Sequence, residues 1–364
     1  MHNKKKNSHL GSTIFLVLLM IVTFYFIFRD HSIVAIFHVL KKANPYYLCG
    51  GVLLMFGYIL LQALCVGISL KGFNCKTSIW QILQYSFIGF YFSAITPSNT
   101  GGQPVQMYYM CRDGIHLSHV SLSMLLTNLT YQITILGFSF GMYIFRFRFI
   151  NASLRGFIWF LVVGMTLNLM LTLLIVFLLV SQKFAKSLAH KCVSLLVKIH
   201  IIKDEKASRN KIDVQLAEYE RGAALIKSHP PLFFKVLGVT VLQMICYYLV
   251  PWFVYKAFGM HGASFLDLMA MQAVLYVAVS FLPLPGAVGA SESGFVMLFR
   301  LFFTEAAIVP AMLLTRGINF YSMLLISGLV VVYAQLRKPY RTEKRKLLLC
   351  KKKYPHLKKK VLEQ

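Results

Sequence analysis

Two stretches decide how this chain folds: Thr96-Pro97-Ser98-Asn99-Thr100-Gly101-Gly102-Gln103-Pro104 and Pro283-Leu284-Pro285-Gly286-Ala287-Val288-Gly289-Ala290-Ser291-Glu292. In a water-soluble protein such clusters of Gly and Pro would be surface loops. Here each one interrupts a hydrophobic segment. Lipid cannot satisfy free backbone N–H and C=O groups, so a break at membrane depth survives only where protein or a water-filled cavity surrounds it. Paired breaks in two halves of a membrane protein point to a binding site between them.

The surrounding sequence supplies the membrane. Of the 364 residues, 57% are hydrophobic, gathered in long runs rather than amphipathic stripes. The clearest runs are Ile14–Phe28, Tyr46–Leu70, Ser118–Phe145, Phe157–Val180, Leu232–Phe258 and Ile308–Ala334. A helix needs about 20 mainly apolar residues to cross the hydrocarbon layer, and most of these runs qualify. The first follows Lys4-Lys5-Lys6 and runs straight into Arg29-Asp30 with no small-residue cleavage site, so it reads as an uncleaved span.

Positive charge orients the spans. Ser181–Pro230 holds ten Lys/Arg against five acids, and Arg337–Gln364 holds twelve against two. Basic segments beside spans mark the cytoplasmic side. The N-terminus, the connector and the tail are therefore placed inside, in a cell membrane crossed many times. The tail suits anionic lipid head groups, at about 1 kcal/mol per residue near the surface. It lacks the interleaved aromatics of a nucleic-acid arm, so no nucleic-acid partner is expected of it. A homo-oligomer is left open.

Parity fixes the remaining path. If Ile79–Met110 crossed once, the basic connector would fall outside. If it enters and leaves on one side as a hairpin broken at Pro97–Pro104, the signs agree, at the cost of placing Arg146, Arg148 and Arg155 outside. The same reading makes Phe265–Leu282 and Gly294–Phe303 a hairpin from the opposite side. The expected fold is all-α and integral to the membrane, with about six full spans and two re-entrant broken-helix hairpins in an inverted repeat. Residues 1–42 form an N-terminal span and interfacial segment, 43–156 the first repeat, and 157–180 a further span. Residues 181–230 form the basic connector, 231–336 the second repeat and 337–364 the tail. Spans starting near Pro45 and Pro231 are followed by hairpins near Ile79 and Ser264 and closing spans near Ser118 and Ala306. Each break begins 52 residues after its first span starts.

Several residues are candidates for chemistry. Gly101, Gly102 and Gln103 at one break, and Gly286 and Gly289 at the other, could present backbone amides at half-helix starts to an anionic group. Tight helix crossing is the competing explanation for any single glycine. Glu292 and Arg316 are ionisable residues inside hydrophobic segments and are functional candidates by default. They read either as a structural ion pair or as a grip on a lipid phosphate and head group. Arg112 with Asp113 ends the first hairpin, where snorkelling to the interface competes with ligand contact. Asn128, Tyr131 and Gln132 share a helix face, as do Gln243 with Tyr247 and Gln272 with Tyr276; interhelical hydrogen bonding is the simpler explanation for these. Seven scattered cysteines make no C-x-x-C pair, and eleven histidines show no metal spacing. With no nucleophile–base pair, phosphate loop or dinucleotide fingerprint, neither a catalytic residue nor a metal or cofactor is expected.

Ile95–Met107 and Leu282–Phe295, followed by Arg316 in a last span, resemble the lysylphosphatidylglycerol synthase transmembrane family, also called the flippase-like domain family. The likeness runs from about Ser12 to Gln335. It implies a bacterial inner-membrane protein that moves a phospholipid, an aminoacylated phospholipid or a lipid carrier between leaflets, with cationic-peptide resistance as the outcome in bifunctional members. Those members carry a soluble domain that transfers lysine from charged tRNA to phosphatidylglycerol. Here only a 28-residue tail follows the last span, so that domain is not expected. Where many relatives have an acidic residue after the glycine of the first break, Gln103 and Pro104 stand here. The expected activity is lipid translocation through a cavity lined by Gly101, Gly102, Gln103, Gly286, Gly289, Glu292 and Arg316. Phosphatidylglycerol lysyltransferase, drawing on tRNA held by the basic segments, is the alternative, and a non-transporting scaffold is a third reading.

Overall fold

The computed structural model describes residues 43–146, 158–181 and 230–337, with a few isolated positions between 183 and 224. Among the described residues the chain forms nine helices: α1 (Pro45–Gly72), α2 (Ile79–Ile95), α3 (Gly102–Arg112), α4 (Leu117–Phe145), α5 (Ile158–Val180), α6 (Pro230–Ala257), α7 (Phe265–Ser280), α8 (Ala290–Phe299) and α9 (Glu305–Leu336). Five of them, α1, α4, α5, α6 and α9, are long and apolar enough to cross a membrane. The expected span Ile14–Phe28, the connector around Lys203–Ser228 and the tail beyond Arg337 lie outside the described residues.

Local sequence sets the helix ends. Asn44 caps α1, its side chain accepting the Tyr46 amide at 3.0 Å, and Pro45 fills the first turn, where a missing N–H costs nothing. Ser78 and Gln81 cap α2 reciprocally, at 3.3 and 2.7 Å. The first break is shorter than the sequence suggested. Helix α3 starts at Gly102, so Gln103 and Pro104 lie in its first turn, where backbone donors have no intrahelical partner anyway. The second break ends at Gly289, which leaves Ala290, Ser291 and Glu292 inside α8.

Helices α2 and α3 fold back on each other. A Cβ on Gly102 would lie 1.9 Å from Ser93 Oγ and 2.5 Å from the Gly89 carbonyl, so glycine is what lets the two arms touch. Further down the same seam, Tyr85 donates to Asp113 at 2.8 Å. Helices α7 and α8 pair likewise, with Ser291 and Phe295 facing Val279, Leu275 and Gln272 across one small cavity.

Helix α4 shows how the two hairpins are related. It starts five residues after α3 ends, beside the open end of the α2–α3 hairpin. At its far end Arg146 Nε lies 3.0 Å from Asp267 Oδ1, beside the open end of the α7–α8 hairpin. Its 29 residues span about 44 Å at 1.5 Å per residue. The open ends of the two hairpins therefore lie at opposite ends of α4. Helix α9 makes the reverse journey, leaving α8 and ending where Arg337 pairs with Asp113 at the end of α3. The packing is matched throughout: α1 against α6, α2 against the second half of α9 as α7 against α4, and α3 against α4 as α8 against α9.

Small residues bring the central pair together. Gly50 and Gly51 sit against Phe253 and Gly57 against Cys246, Gly51 also meeting Ile318 of α9, and α1 with α6 forms the most extensive helix contact. Helix α5 is peripheral, packing on α4 and α7 with Gly164 against the Val277 backbone. Its outer face exposes Trp159, Phe160, Leu167 and Phe177, as a lipid-facing surface would.

Candidate substrate site where the two breaks meet

The tips of the two hairpins touch. Pro97 and Pro285 form an isolated antiparallel bridge, and Ser98 Oγ lies 3.3 Å from both the Phe281 and Leu282 carbonyls, donating across the gap. Neither tip is relaxed: Ser98, Asn99 and Ala287 have φ between 50° and 57°, in the left-handed region that disfavours side chains. A Cβ on Gly286, at φ 59°, would fall 2.2 Å from the Phe320 ring and 3.2 Å from the Ala94 carbonyl, so a side chain there would have to displace the ring.

Of the seven candidate residues, four gather at the second tip. Arg316 Nε donates to Glu292 Oε1 at 2.8 Å, and its Nη2 donates to the Gly286 carbonyl at 3.0 Å. Glu292 Oε2 accepts the Gly289 amide at 2.6 Å, so the carboxylate caps its own half-helix while holding the guanidinium. Both side chains are about nine-tenths buried, at 9% and 10% exposure. The guanidinium carbon lies 4.5 Å from the centre of the Phe320 ring, a cation–π contact on its remaining face.

The other three residues sit apart from this pair. Gly101 gives its amide to Thr96 Oγ1 at 2.8 Å, Gly102 serves the close packing of α3 on α2, and Gln103 is exposed. They reach the second tip only through the neighbouring Pro97 and Ser98.

Helix α9 is not a plain α-helix here. Residues Gly317–Tyr321 form a π-helical turn directly after Arg316. In an α-helix, residues five apart are about 140° apart around the axis; the wider turn brings them onto one face. Arg316 and Tyr321 accordingly both reach Glu292 Oε1, the tyrosine at 3.4 Å. The same turn presents Asn319 to a cavity beside Arg316 that also involves Gln272, Tyr247 and Tyr276. Sequence reading missed Thr315, Asn319 and Tyr321; a polar Asn three residues from an intramembrane Arg was the available signal.

A tyrosine cluster continues from this cavity into the first half. Tyr131 and Tyr276 share a hydrogen bond between their hydroxyls, Tyr247 and Tyr276 rings lie 5.3 Å apart, and Tyr58 and Tyr247 rings 5.7 Å apart. The polar faces seen on α4, α6 and α7 thus meet between the halves. Arg112 and Asp113 belong elsewhere, at the end of α3. There Arg112 lies over the Tyr109 ring and donates to the Ala334 carbonyl at 2.8 Å. Cys75, in the turn between α1 and α2, has its thiol pKa pushed up by burial. Among the described residues, no three His, Cys, Asp or Glu side chains are grouped to hold a metal.

A model of the lysylphosphatidylglycerol synthase transmembrane region matches residues 10–327. This chain belongs to that family. Its match runs through both hairpins and ends within α9, beyond the Arg316 site. A UPF0104 membrane protein of Archaeoglobus fulgidus is 23% identical over 309 residues, covering 83% of this chain and 90% of the relative. Family membership and five long apolar helices make this a multi-pass membrane protein.

Proposed function

We propose that this family member translocates a phospholipid or lipid carrier between leaflets, the head group passing the junction of the two hairpin tips while acyl chains stay in lipid. The observation that carries the reading is the buried Glu292–Arg316 pair held against the Gly286 carbonyl at that junction. Ionisable groups are costly inside a membrane and face cavities or partners when they are kept. Short hairpin arms support the topology. The 17 residues of α2 and 11 of α3 give about 25 and 17 Å of helix, less than the roughly 30 Å hydrocarbon core. In this reading both hairpins are re-entrant, one from each side, and the basic connector and tail lie in the cytoplasm beside anionic lipid.

The guanidinium would meet the head-group phosphate, leaving Glu292 during passage and returning to it afterwards. The test is reconstitution into liposomes with acyl-labelled lipids, scoring leaflet exchange and, in parallel, lysine transfer from charged tRNA. Replacing both members of the pair, Glu292→Gln with Arg316→Gln, avoids stranding a charge. It is expected to abolish exchange while the protein remains folded and monodisperse. Exchange at the full rate in that variant, or lysine appearing on lipid, would overturn the reading.

A further inference from the structure

The contact between the hairpin tips lies about halfway along the molecule. The open ends of the hairpins sit at opposite ends of α4, whose 29 residues separate them by about 44 Å. From those ends the 17 residues of α2 and 16 of α7 reach about 25 and 24 Å, and the tips touch at Pro97 and Pro285. Helix α4 is one of the five helices able to cross a membrane. In a membrane that it crosses, the contact is roughly 15 Å from either edge of a hydrocarbon core about 30 Å thick.

At that depth the two tips differ in what they expose. The second shows Pro283, Leu284 and Pro285, as a lipid-facing surface would. The first shows Asn99, Thr100 and Gln103, two primary amides and a hydroxyl. Thr100 Oγ1 donates to the Pro97 carbonyl at 2.9 Å. An amide exposed to hydrocarbon with no hydrogen bond costs several kcal/mol. Irregular backbone at membrane depth is tolerated only where protein buries it or water reaches it, and the stretch before α3 is both irregular and exposed. The left-handed φ of Asn99 explains an asparagine at that position. It does not explain Gln103, which stands in the first turn of α3.

We infer that the exposed side of the first tip is a water-filled opening on the flank of the protein, and that Asn99, Thr100 and Gln103 line the track along which a phospholipid head group passes. The opening adjoins the ion pair. Pro285, bridged to Pro97, precedes Gly286, whose carbonyl accepts from Arg316 Nη2 at 3.0 Å. The three side chains carry no charge, so the track meets a head group through hydrogen bonds and leaves the phosphate charge to Arg316. That passage rests on the translocator reading; the wetness of the tip does not.

The test is thiol labelling of the full chain in liposomes with a charged, membrane-impermeant methanethiosulfonate. Peptide mass spectrometry separates each introduced position from the native cysteines. Asn99→Cys and Gln103→Cys are compared with Leu60→Cys, a position 50% exposed near the middle of α1. The reactive thiolate forms in water and is suppressed in lipid, so both tip variants are expected to label at least roughly ten-fold faster than Leu60→Cys. Rates as slow as that of Leu60→Cys at both positions overturn the opening, whether lipid, a second copy or another segment covers the tip. Leaflet exchange of acyl-labelled phosphatidylglycerol is scored beside it. Asn99→Gly keeps the left-handed backbone, and Gln103→Leu removes an exposed amide. Together they should slow exchange several-fold and leave the unfolding temperature unchanged. Full-rate exchange in that double variant overturns the track. Fast labelling in a chain whose wild type moves no lipid sinks the translocator and keeps the opening; exchange with slow labelling does the reverse.

Discussion

The first break, Thr96–Gly101, and the second, Phe281–Gly289, stand at matching points of two similarly packed halves, yet different forces hold them. The first closes on hydroxyls: Thr96 Oγ1 donates to the Phe92 carbonyl at 2.6 Å and accepts the Gly101 amide at 2.8 Å. The second closes on ions, with Glu292 spanning the Gly289 amide and Arg316, and Arg316 reaching the Gly286 carbonyl. Helix ends and close backbone approach can be met by many small or hydroxylated residues. A desolvated charge pair is another matter, because an apolar pair of similar volume is often as stable. Packing symmetry therefore extends over both halves, while the chemistry concentrates in one.

The largest expected effect comes from unbalancing the second tip. Glu292→Gln strands the guanidinium, and thermal unfolding in detergent should show a loss of about 3–5 kcal/mol. Adding Arg316→Gln should recover most of that loss, since no charge is left buried alone. Equal stability of the single and double variants would show that the tip is not held by its ions. The neutral tip supplies the contrast. Thr96→Val leaves the Gly101 amide without its acceptor and should cost about 1–2 kcal/mol by the same measurement.

The two halves were legible in sequence to different depths. Gly and Pro mark a break regardless of what surrounds it, and the spacing of Pro45, Ile79 and Ser118 against Pro231, Ser264 and Ala306 reappears in helix starts at Pro45, Ile79 and Leu117 against Pro230, Phe265 and Glu305. Glu292 and Arg316 stood out because ionisable residues inside apolar runs are rare. A structural ion pair between them was one of the two readings open to the sequence, and the folded chain makes that contact at 2.8 Å across 24 residues. The π turn was hidden because Gly317–Tyr321 carries no breaker that an ordinary helix could not accommodate. Arg337 was counted with the basic tail and Arg146 as a misplaced cation; only the folded chain shows that each is paired with an Asp on the other half's hairpin.

Those two pairs extend the comparison from the tips to the open ends. Asp113 accepts from Arg337 at 3.1 and 2.6 Å and from Tyr85 at 2.8 Å, and the ion-pair side chains are 0% and 9% exposed. Arg337 Nε also donates to Gln84 at 2.9 Å, so the end of α9 is tied to both arms of the first hairpin. Asp113→Asn should cost about 3 kcal/mol in the same unfolding assay, because it leaves Arg337 largely desolvated without its counter-charge. A loss below that of Thr96→Val would mean that the clamp is peripheral to stability.

At the opposite end Asp267 meets Arg146 through a single contact at 3.0 Å, with side chains 19% and 37% exposed. Water and salt screen such a pair, so Asp267→Asn should cost at most about 1 kcal/mol, and raising the ionic strength should erase the difference from wild type. The hairpin whose tip carries the ions is then the one less firmly tied at its open end. Under the proposed translocation, that arrangement would let the tip release Arg316 to a passing phosphate while the first hairpin serves as a fixed wall. If Asp267→Asn proves as costly as Asp113→Asn and its effect resists salt, the second hairpin is clamped as tightly as the first, and any opening has to begin at the tips.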